Sequence, residues 1–96
     1  MVVAKRASKS ELQRLYQAFA ALSNPDDIKA LMEDICTIRE IDEMAQRLDV
    51  AFRLDGGESY NSIQESTGAS ATTIARVSKC LNYGAQGYRR VIDSEQ

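Results

Sequence analysis

Apolar residues in this chain recur at intervals of three and four positions, and almost nowhere at every second position. That period belongs to the α-helix and argues against half-buried strands. Leu12, Leu15, Tyr16, Phe19 and Leu22 form one stripe. Ile28, Leu31, Met32 and Ile35 form a second, and Ile41, Met44, Ala45, Leu48, Ala51 and Phe52 a third. The single proline is Pro25 and every glycine lies beyond residue 55, so these stripes run without interruption by a helix breaker. The expected fold class is all-α.

Polar residues mark where the helices start and stop. Ser8 or Ser10 is the expected N-cap of a first helix over about residues 9–22. Asn24 caps a second, over about residues 25–35. There Pro25 takes the first helical position, where no amide is needed, and Asp26 and Asp27 sit at the positive helix end. That placement accounts for the two aspartates without a catalytic or metal-binding role. Thr37 and Glu40 have capping-box spacing ahead of a longer helix over about 38–55. Gly56-Gly57 closes it, because glycine accepts the left-handed conformation that ends a helix. Met44 and Phe52 of this helix are expected in the core. Shorter helices are expected over about residues 60–67, 71–81 and 85–92, with Tyr83-Gly84 breaking the chain before the last.

A length of 96 residues fits a single domain over 1–96. The chain contains no histidine, which removes His-based acid–base catalysis, Ser-His and Cys-His nucleophile pairs and every His-containing metal site. Cys36 and Cys80 lie far apart and form no CxxC pair. They read as reduced, semi-buried small hydrophobes of a cytoplasmic protein. No apolar run approaches the ~20 residues of a membrane span, and Met1 to Arg6 lack the long apolar core of a signal peptide. No metal, cofactor or enzymatic activity is expected.

The formal net charge of −2 conceals an uneven distribution. Residues 1–25 hold four bases and one acid, residues 26–59 ten acids and four bases, and residues 60–90 four bases and one acid. A net-acidic chain with basic ends can still bind nucleic acid locally, since affinity follows the patch more than the total.

Residues 59–81 carry the functional pattern. A short helix burying Ile63, a turn at Gly68, a cap at Ser70 and a second helix burying Ile74, Val77 and Leu81 spell a helix-turn-helix. Glycine supplies the positive φ of the tight turn, and Ala69 and Ala71 are small where the helices cross. Gln64 and Thr67 depart from the usual pattern, which favours alanine and a bulkier apolar residue at those places. The second helix exposes Ser70, Thr72, Thr73, Arg76 and Lys79, and none of its residues is acidic. Such a helix suits the major groove of duplex DNA. Ser70 and Thr72 are placed to donate to phosphates together with the first helical amides, Thr73 to reach a base edge, and Arg76 and Lys79 to contact phosphate. No Gln, Asn or Arg occupies the leading turn, so direct base readout is expected to be thin, with discrimination through water and DNA shape. Arg89 and Arg90 either flank the DNA or solvate the surface.

Taken together, Asp34-Ile35-Cys36-Thr37-Ile38-Arg39-Glu40-Ile41, Ala45-Gln46-Arg47-Leu48, Thr67 through Val77 and Cys80-Leu81-Asn82-Tyr83-Gly84 resemble the YerC/YecD group of Trp-repressor-like proteins. The similarity runs from about Leu12 to Tyr88. It implies about six helices in an intertwined homodimer, with 9–55 as dimerisation helices, 59–81 as the helix-turn-helix and 83–92 as a C-terminal helix. It also implies the pocket in which the family prototype stacks tryptophan between two arginines. Arg76 falls on one of those positions. Arg47 matches the other across a one-residue length difference, and Thr37 falls near the far wall. The residue-level reading of Arg47 is a helix-surface charge near Glu43. Val77 stands where the prototype has glycine, and its branched side chain narrows such a pocket, so no small-molecule effector is expected.

The expected function is a sequence-specific transcriptional regulator, repressing as a homodimer on double-stranded DNA. A second reading stays open on the residues alone: a helical protein-interaction or adaptor module without DNA binding, whose acidic middle engages a basic partner.

Overall fold

A computed structural model describes residues 5–95. Residues 1–4, where a leader was sought in the sequence, lie outside the described residues. Among those described there are six α-helices and no strand: α1 (Lys9–Ala20), α2 (Pro25–Ile35), α3 (Ile38–Asp55), α4 (Tyr60–Thr67), α5 (Ala71–Tyr83) and α6 (Gly87–Ser94). The chain divides after Thr37 into two compact units.

The first unit holds α1 and α2. Ser8 is the N-cap of α1: its hydroxyl accepts from the Glu11 amide at 3.1 Å, and the Glu11 carboxylate accepts from the Ser8 amide at 3.0 Å. This reciprocal capping box settles the choice between Ser8 and Ser10. Bonding of the carboxylate first to the Ser8 backbone amide and then to the Ser8 side chain holds the Glu11 carboxyl below its ordinary pKa. Helix α1 stops at Ala20, earlier than the apolar spacing suggested, leaving Leu22 outside it. The residue before a proline favours extended backbone, and Asn24 adopts φ −114° and ψ 128° while its side chain accepts from the Asp26 amide at 2.7 Å. Neither α1 nor α2 contains a buried residue.

The second unit, α3 to α6, contains the core. Val50, Ala51, Ile63, Ala69, Ile74, Val77, Leu81 and Ile92 are buried, with Phe52, Leu54 and Tyr88 packed against them. Helix α3 contributes a face that the apolar stripe alone misses. Val50 is fully buried, whereas Leu48 is 37% exposed and Ala45 is also exposed. At 100° per residue, Gln46, Val50 and Leu54 share one side of α3, Ile41, Leu48 and Phe52 lie on the opposite side, and Ala51 and Met44 fall between them. Met44 and Phe52 are accordingly half-buried rather than central.

Helix ends in this unit follow local chemistry. Gly57 (φ 85°) closes α3 and Gly68 (φ 76°) closes α4, both in the left-handed region where a side chain is strained. Helix α5 runs on to Tyr83, two residues past its expected end. Helix α6 starts and ends later than expected, because Gln86 takes φ 71° and delays the helix to Gly87. Cys80 is exposed, which corrects its reading as semi-buried, while Cys36 is half-buried; both are free thiols. Among the described residues no helix is long and apolar enough to cross a membrane, and no cluster could hold a metal ion.

Candidate nucleic-acid interface

Helices α4 and α5 form the two arms of the predicted helix-turn-helix, and α3 packs against both. Ile63 anchors α4, Ala69 fills the crossing, and Ile74, Val77 and Leu81 anchor α5, all within the buried cluster. This anchoring fixes which side of α5 faces outward.

The turn is tied by a hydrogen-bond relay. Thr67 Oγ1 donates to the Ile63 carbonyl at 2.7 Å and accepts from the Ala69 amide at 3.1 Å. The Thr67 carbonyl, one of the terminal carbonyls that α4 cannot satisfy itself, accepts from Gln46 Nε2 of α3 at 3.2 Å. The departure from an apolar residue at 67 thus has a structural purpose: the hydroxyl ties down the backbone on either side of Gly68. Sequence reasoning did not find Gln46 in this role. The polar residue at 67 was the available signal, since a half-buried hydroxyl calls for partners.

A second tie fixes the other end of α4. Arg53 Nε donates to Asp49 at 3.0 Å and its Nη1 to both Glu58 oxygens at 3.2 Å, while the Ser62 hydroxyl donates to Glu58 at 3.1 Å. Bonds from Asp49 and then Glu58 raise the Arg53 pKa further. Ser59 caps α4 by accepting from the Ser62 amide at 3.2 Å.

The leading end of α5 is Ser70, whose hydroxyl accepts from the Thr73 amide at 3.1 Å and lies 3.1 Å from Thr73 Oγ1. Ser70, Thr72, Arg76 and Lys79 are exposed and Thr73 is half-buried. Among the described residues, Arg76 and Lys79 form no ion pair. Arg89, in contrast, donates to Asp55 at 2.8 Å and lies 3.5 Å from Asp93, so its charge links α6 to the end of α3. Arg90 is exposed.

The residues of the implied effector pocket fall as follows. Arg47 is half-buried on α3, without an ion pair to Glu43, and Arg76 is exposed on α5. Thr37 is exposed at the end of the first unit. An open cavity of about 530 Å³ runs along α3, lined by Ile38, Arg39, Asp42, Glu43 and Gln46. Neither arginine of the implied pair lines it. Val77 is buried in the core.

Comparisons with known proteins agree with this architecture. A family model described as Trp repressor protein matches residues 10–96. The chain is 42% identical over 83 residues to the protein YerC of Bacillus subtilis (strain 168), a match covering 86% of this chain and 80% of that one. The crystal structure of a TrpR-like protein from Eubacterium eligens superposes with a TM-score of 0.86 at 42% identity, covering 90% of this chain and 89% of the other. A second crystal structure, from Staphylococcus aureus, also gives 0.86, at 33% identity over 92% of this chain and 88% of the other.

Proposed function

The chain belongs to the Trp repressor family, and on that premise we propose that it is a sequence-specific DNA-binding transcriptional regulator of the repressor type, acting as a cytoplasmic homodimer and not as an enzyme. One observation carries the reading above the others: α5 exposes Thr72, Arg76 and Lys79 on an acid-free face whose two cations form no ion pair among the described residues. Cations left unpaired at a surface are available to replace the counterions of a phosphate backbone. Ser70 and Thr73 join them at the leading turn, where helix amides favour an anion.

Support for the dimer comes from the first unit and from α3. Neither α1 nor α2 buries a residue, and Leu15, Tyr16, Ile35, Ile38 and Leu48 stay 36–81% exposed. A second copy is the economical cover for that much apolar surface. Two-fold symmetry then places one α5 in each half-site of a roughly palindromic operator, with half-sites about one helical turn apart. In this reading residues 1–96 act as one domain and α1 to α3 supply the dimer interface. The DNA face consists of Ser70, Thr72, Thr73, Arg76 and Lys79. No small-molecule effector is part of it: Val77, which stands where the family prototype has glycine, is buried in the core.

Gel-shift titration against genomic fragments at two salt concentrations tests the proposal. Wild-type protein should bind and weaken steeply with salt, and the Arg76→Ala, Lys79→Ala double variant should bind far less. Equal and negligible binding by both proteins, together with a monomer in sedimentation, would favour the adaptor reading.

A further inference from the structure

The block Cys80-Leu81-Asn82-Tyr83-Gly84 ends α5, and the contacts proposed above leave Tyr83 without a task. Its neighbours have internal ones. Leu81 is buried in the core. Asn82 Nδ2 donates to the Ser78 carbonyl at 2.9 Å. The Gly84 amide donates to the Cys80 carbonyl at 2.8 Å, and a Cβ at Gly84 would collide with that same carbonyl, so the backbone turns away directly after Tyr83. Tyr83 itself is 85% exposed. Its ring is thus left largely to solvent.

A solitary exposed ring is ordinary on a protein surface, so its position has to decide. Thr72, Arg76, Lys79 and Tyr83 are spaced i, i+4, i+7 and i+11, which puts them within an arc of roughly 60°. All four are exposed, and α5 has no acidic residue. Tyr83 therefore ends the same line of side chains that begins at Thr72. Helix rise separates the two by about 16 Å, more than the ~12 Å width of the major groove. With the leading turn of α5 at the base edges, Tyr83 lies beyond the groove, beside the flanking backbone.

Resting on the reading of α5 as a recognition helix, we propose that Tyr83 is a further DNA-binding residue, whose phenolic O–H donates to a backbone phosphate oxygen at the outer edge of each half-site. Tyrosine hydroxyls are ordinary donors to phosphate oxygens. A neutral donor fixes register and adds affinity without displacing a counterion, which distinguishes it from Arg76 and Lys79.

The test uses the full chain, a genomic duplex captured by the wild-type protein and a duplex of random sequence, titrated at several salt concentrations. Tyr83→Phe should weaken binding to both duplexes about three- to tenfold, with the slope of log affinity against log salt unchanged. Lys79→Ala should lower that slope by about two, one for each protomer of the dimer. Neutral methylphosphonate groups placed in symmetric pairs, one in each half-site, should reveal one outer pair of positions where wild-type affinity falls to that of Tyr83→Phe and the variant is unaffected. Equal affinities for wild type and Tyr83→Phe, or no such phosphate position, would overturn the assignment of Tyr83 while leaving α5 as the DNA-binding helix. A drop in melting temperature for Tyr83→Phe that accounts for its weaker binding would overturn it too, as a structural role. A wild-type chain that binds neither duplex would overturn the underlying reading and the tyrosine contact with it.

Discussion

Helix α1 carries as regular an apolar stripe as α5, yet it buries no residue, whereas α5 buries Ile74, Val77 and Leu81. Periodicity is the same in both helices; what differs is the number of neighbours. Helix α5 has α3, α4 and α6 against it, and the eight buried residues all come from α3 to α6 or the α4–α5 turn. Helix α3 holds both situations at once. Val50 and Ala51 on one side are fully buried, while Ile38 and Leu48 remain 81% and 37% exposed. An apolar stripe therefore states only that a helix face is to be covered; whether its own chain or another covers it depends on topology. In our reading the uncovered stripes belong to the dimer and the covered ones to the DNA-reading head.

Substitutions in the two regions should therefore fail differently. Ile74→Ala removes buried atoms and leaves a cavity, and should lower stability by about 2–5 kcal/mol in urea unfolding. Leu15→Asp should act on assembly instead: sedimentation at micromolar concentration should shift from dimer to monomer, with α3 to α6 still helical by circular dichroism. A Leu15→Asp protein that stays dimeric would erase the contrast.

The cations divide in a similar way. Among the described residues Arg53 and Arg89 are held by carboxylates, while Arg76 and Lys79 are not. Replacing Arg76 and Lys79 with alanine removes four cations from the dimer and should lower the salt slope of DNA binding by about four without moving the melting temperature. Arg89→Ala should lower the melting temperature slightly and leave the slope intact. Gly68→Ala probes the hinge between head helices. Its Cβ would meet nothing within 4 Å, so the whole cost comes from the φ of 76° and should be about 1–2 kcal/mol.

The smallest expected effect is at the start of α1. The folded state holds the Glu11 carboxyl below its ordinary pKa through its bonds to Ser8. The capping contribution is therefore present above the pKa of the unfolded chain and is lost as pH falls through the lower, folded value. The stability difference between wild type and Glu11→Gln should shrink as pH falls through the carboxylate range. A difference independent of pH would remove Glu11 from the cap.

Most of the fold is legible in the sequence because it is written in local chemistry. Asn24-Pro25, Gly68 and Ser70 set boundaries through bonds and angles spanning no more than four residues, and the helices they delimit lie where expected. The Ser8–Glu11 box was equally local and went unread beside the competing Ser10. Longer-range features were less visible. Val50 belongs to the core only because α4 to α6 approach that side of α3. Arg89 turns inward because Asp55, 34 positions earlier, is brought beside it. Gln86 delays α6 by adopting a left-handed φ that sequence rules assign to glycine, and Gly87 stands next to it. At the candidate site, the exposure of Thr72, Arg76 and Lys79 follows from the burial of Ile74, Val77 and Leu81 and was readable from spacing alone. The Gln46–Thr67 tie spans two helices and was not.

Hydroxyl-radical footprinting of the full chain on a captured genomic duplex tests the central claim most directly. Two protected windows related by two-fold symmetry and centred about one helical turn apart are predicted for the wild type, with both fading together in the Arg76→Ala, Lys79→Ala protein. A uniform cleavage ladder at protein concentrations that saturate any binding, or a single window without symmetry, would contradict the picture of paired α5 helices reading DNA.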